Sequence, residues 1–246
     1  MYELIDSHCH IQIKNFDRDR QEVIRRAISN GVVGIVVSGY DISSNHKALN
    51  LKSSNIFATL GFSPTMNTKG HEHVISQIME HQNEIVAVGE VGIDRVKGRL
   101  PFDEQKKIFE SFLRLASEMD KPVVIHARDA EIEAIDLASR YGVKAMIHCF
   151  NGSLKAFRLA KDSGAIVSIS TMVTFSDRLK RVVREMDLEN VVIETDSPFL
   201  SPKRGRNEPA NLVYAVNEIS KLIEEDKEEV ARITKRNAED FYGISV

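Results

Sequence analysis

The chain has 246 residues, of which 42% are hydrophobic and 28% are charged, and its formal net charge at pH 7 is −3. This length fits one (β/α)8 barrel, and the apolar fraction is sufficient for a substantial core. The slightly acidic balance argues against a protein that coats nucleic acid broadly by electrostatic attraction, because such binders are strongly basic.

Two further features of the composition bear on location. The only two cysteines, Cys9 and Cys149, cannot form a disulfide framework and are typical of a reducing, cytoplasmic compartment. No apolar run is long enough for a membrane span, and the N-terminus has no basic segment followed by an apolar one. We therefore expect a cytoplasmic protein without membrane contact, and no obligatory protein partner is indicated.

Short apolar runs, many of them β-branched, recur along the chain and are separated by longer amphipathic stretches. Such runs are typical of strands that are buried on both faces of a parallel sheet, with helices between them. The eight predicted strands comprise residues 4–5, 32–37, 56–60, 85–88, 122–125, 143–147, 165–169 and 190–193.

Helical periodicity is clearest over residues 102–119. Helical sequence also covers residues 211 to about 241, where the charge run at 224–229 is interpreted as a solvated junction between helices. Eight strands alternating with helices favour an α/β fold of the (β/α)8 TIM-barrel type, with an open doubly wound sheet as the structural alternative. Because no Pro/Gly-rich or low-complexity linker divides the chain, we expect a single domain over residues 1–246.

Six potential metal ligands stand at or just beyond the carboxyl ends of five predicted strands. They are His8 and His10 after the first strand, Glu90 after the fourth, His126 after the fifth, His148 after the sixth and Asp196 after the eighth. The carboxyl ends of all barrel strands face the same way and form the catalytic mouth, so we expect these side chains to converge. His8 and His10 are two residues apart in an extended segment and therefore lie on the same face, where both can reach one ion.

The donor types indicate which ions would be bound. Imidazole and carboxylate ligands suit Zn²⁺, Mn²⁺, Co²⁺ or Fe²⁺ better than Ca²⁺. Four histidines and two carboxylates can hold two ions if one carboxylate bridges them, and such a pair can act on both oxygens of a displacement at phosphorus. Each residue alone is explained equally well by a polar role in the fold. Burying all six together would be costly without a cation to neutralise them.

Five motifs occur in an order that spans nearly the whole chain. They read DSHCH at residues 6–10, GEVGID at 89–94, VIHAR at 124–128, IHCFNGS at 147–153 and ETDSP at 194–198, with RNEP following at 206–209. Each motif alone is modestly informative, but the ordered set is specific. The sequence resembles the TatD-type deoxyribonuclease family, which belongs to the amidohydrolase-like superfamily of metal-dependent hydrolases.

The resemblance implies a (β/α)8 fold, nuclease activity on DNA and two divalent ions, Mg²⁺, Mn²⁺ or Zn²⁺. It assigns His8, His10, Glu90 and Asp196 to one ion and Glu90, His126 and His148 to the other, with Glu90 as the bridge. Two departures from the family pattern concern substrate contacts. The family often has Gly-x-His-Pro where this chain has GFSP at 61–64, and Arg95 stands where a tyrosine often follows Asp94.

Phosphodiester hydrolysis of DNA ends or single strands is the function that this pattern favours. The two ions would activate a water, Glu90 and Asp196 would be the catalytic carboxylates, and Asp196 would accept the proton of that water. Seven basic residues should ring the mouth and offset phosphate charge, although ordinary surface charge explains any one of them: Arg95, Lys97, Arg99, Arg128, Lys203, Arg204 and Arg206. The candidate substrate-binding residues are Arg95, Arg128, Arg204, Arg206 and Asn207.

Four phenylalanines are also expected near the mouth, where they would either stack on bases or pack in the core: Phe62, Phe102, Phe150 and Phe199.

Two other functions remain open. The same metal set would hydrolyse a small amide, lactone or phosphate ester, although relatives of that class often bridge their metals with a carboxylated lysine where this chain has Glu90. The second alternative is a non-catalytic metal-binding or scaffold protein. The presence of Asp196 disfavours it, because a purely structural site closes with fewer ligands.

Overall fold

Eight parallel strands, buried along most of their length, alternate with helices in a computed structural model that describes residues 2–65 and 69–246. The strands are β1 (Leu4–Cys9), β2 (Val32–Ser38), β3 (Ile56–Phe62), β4 (Ala87–Asp94), β5 (Val123–Arg128), β6 (Ala145–His148), β7 (Ile166–Ser170) and β8 (Val191–Glu194). The helices are α1 (Arg20–Ser29), α2 (Ile42–Leu49), α3 (His71–Glu80), α4 (Phe102–Glu118), α5 (Glu131–Tyr141), α6 (Leu154–Asp162), α7 (Asp177–Val183), α8 (Leu212–Ile223) and α9 (Lys227–Tyr242).

The strands lie in the order β1 to β8, each parallel to the next, as a (β/α)8 barrel requires. Beyond the ladders, β8 meets β1 through polar contacts: His10 N donates to Ser197 O at 2.8 Å, and Asp196 N donates to His8 O at 3.0 Å. The buried Asp6 carboxylate also accepts hydrogen bonds from the backbone N–H and hydroxyl of Thr195. The barrel prediction is therefore confirmed, and the open doubly wound sheet is excluded.

All eight predicted strands occur, but β1, β4 and β5 extend three or more residues beyond their predicted carboxyl ends. β1 includes His8 and Cys9, and β4 continues through Glu90 to Asp94. Polar residues there are buried by the closed barrel, so an apolar run marks only part of each strand. The helical predictions agree with α4, α8 and α9, and the charge run forms the exposed turn between α8 and α9 together with the first turn of α9.

Helix α9 closes the barrel at the amino ends of the strands. Its last residues, Phe241 and Tyr242, pack against apolar side chains inside the barrel, including Ile5, Val124 and Val192. The Tyr242 hydroxyl is buried and donates a hydrogen bond of 2.7 Å to the Ser7 carbonyl, one residue before His8. The end of the chain thus supports the strand from which the histidine pair projects.

None of the helices in the described ranges combines the length and the apolar character that crossing a membrane requires.

Replacing Tyr242 with phenylalanine should lower the free energy of unfolding by about 1–3 kcal/mol, because the Ser7 carbonyl would lose its buried donor. Denaturant unfolding of the purified protein measures this change. Tyr214→Phe is the matched control: Tyr214 is 40% exposed, so its variant should remain within about 0.5 kcal/mol of the wild type. Equal stability of the two variants would contradict the supporting role of Tyr242.

Candidate metal centre

Four histidines and two carboxylates converge inside the carboxyl end of the barrel. In the first group, the Nε2 atoms of His8 and His10 are 3.2 Å apart. Glu90 Oε2 lies 3.7 and 3.6 Å from these two nitrogens, and Asp196 Oδ1 lies 3.8 and 3.5 Å from them. Both rings belong to the β1 end, while the carboxylates come from β4 and from the loop after β8.

The second group lies on the other side of Glu90. His126 Nδ1 and His148 Nε2 are 3.2 Å apart, and Glu90 Oε1 lies 3.2 Å from the first and 3.8 Å from the second. Glu90 therefore directs one carboxylate oxygen to each group. The structure brings together all six side chains that were predicted as metal ligands.

The spacing of these donor atoms fits bound divalent ions. Nitrogen and oxygen ligands about 2.0–2.1 Å from a tetrahedral ion lie about 3.3 Å from one another. The observed separations run from 3.2 to 3.8 Å. The sets His8, His10, Asp196 and Glu90, His126, His148 each have their donor atoms within 4.8 Å of one another.

Three of the four histidines also have a hydrogen-bond partner for the other ring nitrogen, outside the convergent set. His10 Nδ1 donates to the Ser38 carbonyl at 2.8 Å, and His8 Nδ1 lies 3.0 Å from the Ser38 hydroxyl. His126 Nε2 donates to Asp94 at 2.8 Å, whereas His148 Nδ1 lies 3.7 Å from Glu194 and forms no hydrogen bond in the described part of the chain. Such partners fix the ring orientation and the tautomer, leaving the inward nitrogen free to bind a cation.

The charge balance of the cluster also points to a cation. Burial disfavours the charged form of His10, but the hydrogen bond and charge of Asp196, with the charge of Glu90, raise the pKa of His10 to about 9. Burial also disfavours the charged form of His126, but its hydrogen bonds to Asp94 and Glu90 outweigh this effect and raise the pKa of His126 to about 9. Protons therefore occupy these rings near neutral pH, and a metal ion would displace them on binding.

Backbone irregularities place the central carboxylate. The β4–β5 register shifts between Val88 and Val91, so Glu90 lies in a local irregularity of the ladder. Gly92 has a φ of 146°, and a Cβ at this position would lie 2.0 Å from the His126 carbonyl oxygen. Glycine at 92 thus permits the close approach of β4 to β5 that sets Glu90 beside His126.

Ser63 occupies the place of the histidine that the family pattern often has. Its hydroxyl is buried and donates a hydrogen bond of 3.0 Å to Glu90 Oε1, the oxygen that faces His126 and His148. Ser63 therefore supports the orientation of the shared carboxylate.

Sequence reasoning missed the roles of Asp94 and Glu194, although both lie in the motifs. Asp94 is buried, accepts backbone hydrogen bonds from Val96 and Lys97, and holds His126. Glu194 is fully buried, and neither its oxygens nor His148 Nδ1, which they face, has a hydrogen-bond partner in the described part of the chain. Their positions in the sequence could have indicated these roles, because Asp94 ends β4 and Glu194 ends β8, two residues before Asp196.

Two of the predicted substrate-binding residues, Arg206 and Asn207, have hydrogen-bond partners within the fold, and their contact with a substrate stays a prediction. Arg206 forms two hydrogen bonds with the Asp19 carboxylate and lies over the Phe16 ring, 4.2 Å from its centre, so it anchors the loop after β8 to the start of α1. Asn207 is fully buried, and its amide nitrogen donates to Thr171 and to the Thr195 carbonyl. Both residues therefore hold the loop that carries Asp196.

The other three arginines lie on the surface at the mouth. Arg95 pairs with Glu133 and covers the Phe102 ring at 3.7 Å, so its charge is partly offset. Arg128 and Arg204 are exposed, and within the described ranges neither has a carboxylate within 4.0 Å.

The four phenylalanines that were expected near the mouth also differ in their exposure to solvent. Phe62 and Phe150 are buried in the core, and Phe102 is covered by Arg95. Phe199 is 53% exposed, with its ring centre 6.3 Å from that of His10. It is therefore the member of the four that is available for stacking at the mouth.

Asp94→Asn should weaken divalent-metal binding by about 10- to 100-fold. An amide has one oxygen, which cannot both serve the backbone N–H groups of Val96 and Lys97 and accept from His126 Nε2. The inward Nδ1 of His126 would then carry the proton in part of the population and could not bind an ion. Titration of metal-stripped protein with Zn²⁺ or Mn²⁺ measures the affinity.

The control is Asp103→Asn, the same chemical change on an exposed residue at the start of α4. Its metal affinity should equal that of the wild type. If Asp94→Asn also bound metal with unchanged affinity, Asp94 would not position His126.

Comparison with known proteins agrees with this geometry. A family model described as TatD related DNase matches residues 5–243. An uncharacterized metal-dependent hydrolase of Methanocaldococcus jannaschii is 40% identical over 243 residues, which cover 97% of this chain and 96% of that protein. A 3'-5' ssDNA/RNA exonuclease TatD of Citrobacter koseri is 27% identical over 98% of this chain and 100% of its own length.

Among solved structures, a TatD homolog from Escherichia coli superposes with a TM-score of 0.92 at 25% identity and covers 98% of each chain. The extent of the family match and the convergent histidine and carboxylate cluster lead to the same assignment. The chain belongs to the TatD family and is a metal-dependent hydrolase.

Proposed function

We propose that this hydrolase cleaves phosphodiester bonds of DNA, at strand ends or in single strands, with two divalent ions of the Mg²⁺, Mn²⁺ or Zn²⁺ type. The observation that carries the proposal is the position of the Glu90 carboxylate: each of its two oxygens faces a different pair of histidines. Two ions that share a carboxylate suit displacement at phosphorus. Relatives described as 3'-5' ssDNA/RNA exonucleases support the substrate class.

Two ions held here would lower the pKa of a water molecule and offset negative charge on the phosphoryl oxygens. Glu90 keeps the two sets of histidines at a fixed separation, and its ionised form is maintained because neighbouring histidines outweigh burial and hold the pKa of Glu90 well below its usual value. The Asp196 side chain is 13% exposed, against 7% for Glu90, so it borders the mouth. From there it can accept a proton from the attacking water.

The depth of the cluster limits which nucleic acids can enter. His8, His10, Glu90 and His148 are all buried below the rim of the barrel. A scissile phosphate must therefore descend into the mouth, which a strand end or a flexible single strand can do more easily than the side of a duplex. Arg128 and Arg204 at the rim would offset the charge of the remaining strand, and the exposed Phe199 ring offers a stacking surface for a base.

Metal-loaded protein should release nucleotides from single-stranded DNA, and Asp196→Asn should reduce the rate by about 10²–10⁴-fold, because the proton acceptor is lost. The measurement is nucleotide release from an end-labelled oligonucleotide, with and without a chelator. Asp177→Asn, at an exposed position in the first turn of α7, is the matched control and should retain full activity.

Failure of the metal-loaded wild type to release nucleotides would overturn the nuclease proposal. A parallel panel of small amides, lactones and phosphate esters identifies the alternative: turnover there that depends on Asp196, without turnover of DNA, would indicate a small-substrate hydrolase.

A further inference from the structure

A cleft of about 200 Å³ opens beside the metal centre, between the loop after β1 and the start of α2. We call it the lysine cleft. Lys14 and Asn15 line one side, and Tyr40, Ser43 and Lys47 line the other. These residues follow the carboxyl ends of β1 and β2, so the cleft belongs to the same end of the barrel as the metal ligands.

Tyr40 is a wall shared by the cleft and the metal centre. Its ring centre lies 5.5 Å from that of His10, and it also lines the cleft. Tyr40 is held in place because its carbonyl accepts from Ser63 N at 3.0 Å and its own N–H donates to Ser44 Oγ at 2.8 Å. A group bound in the cleft would therefore lie one side chain away from an ion ligand.

Two lysines and one aspartate are the charged residues that line the cleft, so its net charge is positive. Lys14 and Lys47 are exposed, and neither has an ion-pair partner within 4.0 Å in residues 2–65 and 69–246. The acidic residue of the lining, Asp41, already caps α2, where its Oδ1 accepts from Ser44 N at 2.7 Å. Two lysines without ion-pair partners in the lining of one concave surface suit an anion.

Several other cations of the mouth have partners, and Arg128 and Arg204, which have no carboxylate within 4.0 Å in the described ranges, do not line the cleft. Arg95 and Arg206 are bound to Glu133 and Asp19. The Lys203 ammonium lies 5.7 Å from the centre of the Tyr214 ring. The cleft volume falls below the 300–1,000 Å³ that is common for sites of drug-sized ligands, so it fits one phosphate with part of a nucleoside rather than a longer segment.

We propose that the lysine cleft binds the phosphate adjacent to the scissile one in a nucleotide chain. The enzyme would then act on polynucleotides in preference to phosphodiesters with a single phosphate. This inference rests on the proposed nuclease function and adds to it the site that recognises the chain. Lys14 and Lys47 would hold the second phosphate, and Tyr40 would separate it from the first at the metal centre.

The test compares two substrates of the same chemistry. Thymidylyl-thymidine has one phosphodiester, whereas oligothymidylate has further phosphates along the strand. The double variant Lys14→Ala/Lys47→Ala should lower kcat/KM on oligothymidylate by about 10- to 100-fold, since charge-assisted contacts are lost. It should leave kcat/KM on thymidylyl-thymidine unchanged. For the double variant, the slope of log KM for oligothymidylate against log salt concentration should be smaller than that of the wild type by about 0.7. This is the contribution of one phosphate contact on a single strand.

The control variant is Lys144→Ala/Lys227→Ala, which removes the same charge from two exposed lysines. Lys144 directly precedes β6, and Lys227 begins α9, both away from the mouth. This variant should behave as the wild type on both substrates and at all salt concentrations.

The outcomes separate the two proposals. If wild-type enzyme cleaves oligothymidylate but the lysine-cleft variant loses nothing, or loses equally on both substrates, the cleft assignment is wrong and the nuclease function stands. If metal-loaded wild type cleaves neither substrate, the nuclease function is wrong and the cleft assignment falls with it.

Discussion

The shared carboxylate of Glu90 is the constraint on which the rest of the site depends. One oxygen faces His8 and His10 and the other faces His126 and His148, so four strands of the barrel meet at a single side chain. Burying an ionised carboxylate costs several kcal/mol unless opposite charge compensates it. Protonated histidines provide that compensation in the metal-free protein, and bound cations would provide it when the site is loaded.

The surrounding structure keeps this arrangement rigid. Ser38 fixes both His8 and His10, Asp94 fixes His126, and Ser63 supports Glu90 itself. The loop that carries Asp196 is tied down by the buried Asn207 and, further out, by the ion pair of Arg206 with Asp19. Partners of this kind fix the orientation of the ligands, which is a condition under which metal sites bind tightly.

Much of the fold and of the ligand set could be predicted from the sequence, because both follow from local patterns. Apolar runs located the eight strands, and the rule that carboxyl ends of barrel strands converge brought His8, Glu90 and Asp196 together without any knowledge of contacts. The extension of β4 to Asp94 was not predictable in this way, since Glu90 and Asp94 interrupt the apolar pattern and are buried by closure of the barrel.

Sequence reasoning could not identify contacts between residues that lie far apart in the chain. Arg206 looks like a phosphate ligand until the fold places Asp19 beside it, and Asn207 looks exposed until Thr195 and Thr171 enclose it. The lysine cleft was overlooked for the converse reason. Lys14 and Lys47 belong to different βα units, and neither lies in a motif, so only the folded barrel shows that they face one cleft.

The most direct test of the central role of Glu90 is a crystal structure of the metal-loaded enzyme with anomalous scattering recorded at the metal edge. Two anomalous peaks about 3.5 to 4 Å apart, with one Glu90 oxygen bound to each, are the expected result. A single peak, or two peaks of which Glu90 contacts only one, would contradict the shared-carboxylate account and with it the proposed chemistry at phosphorus.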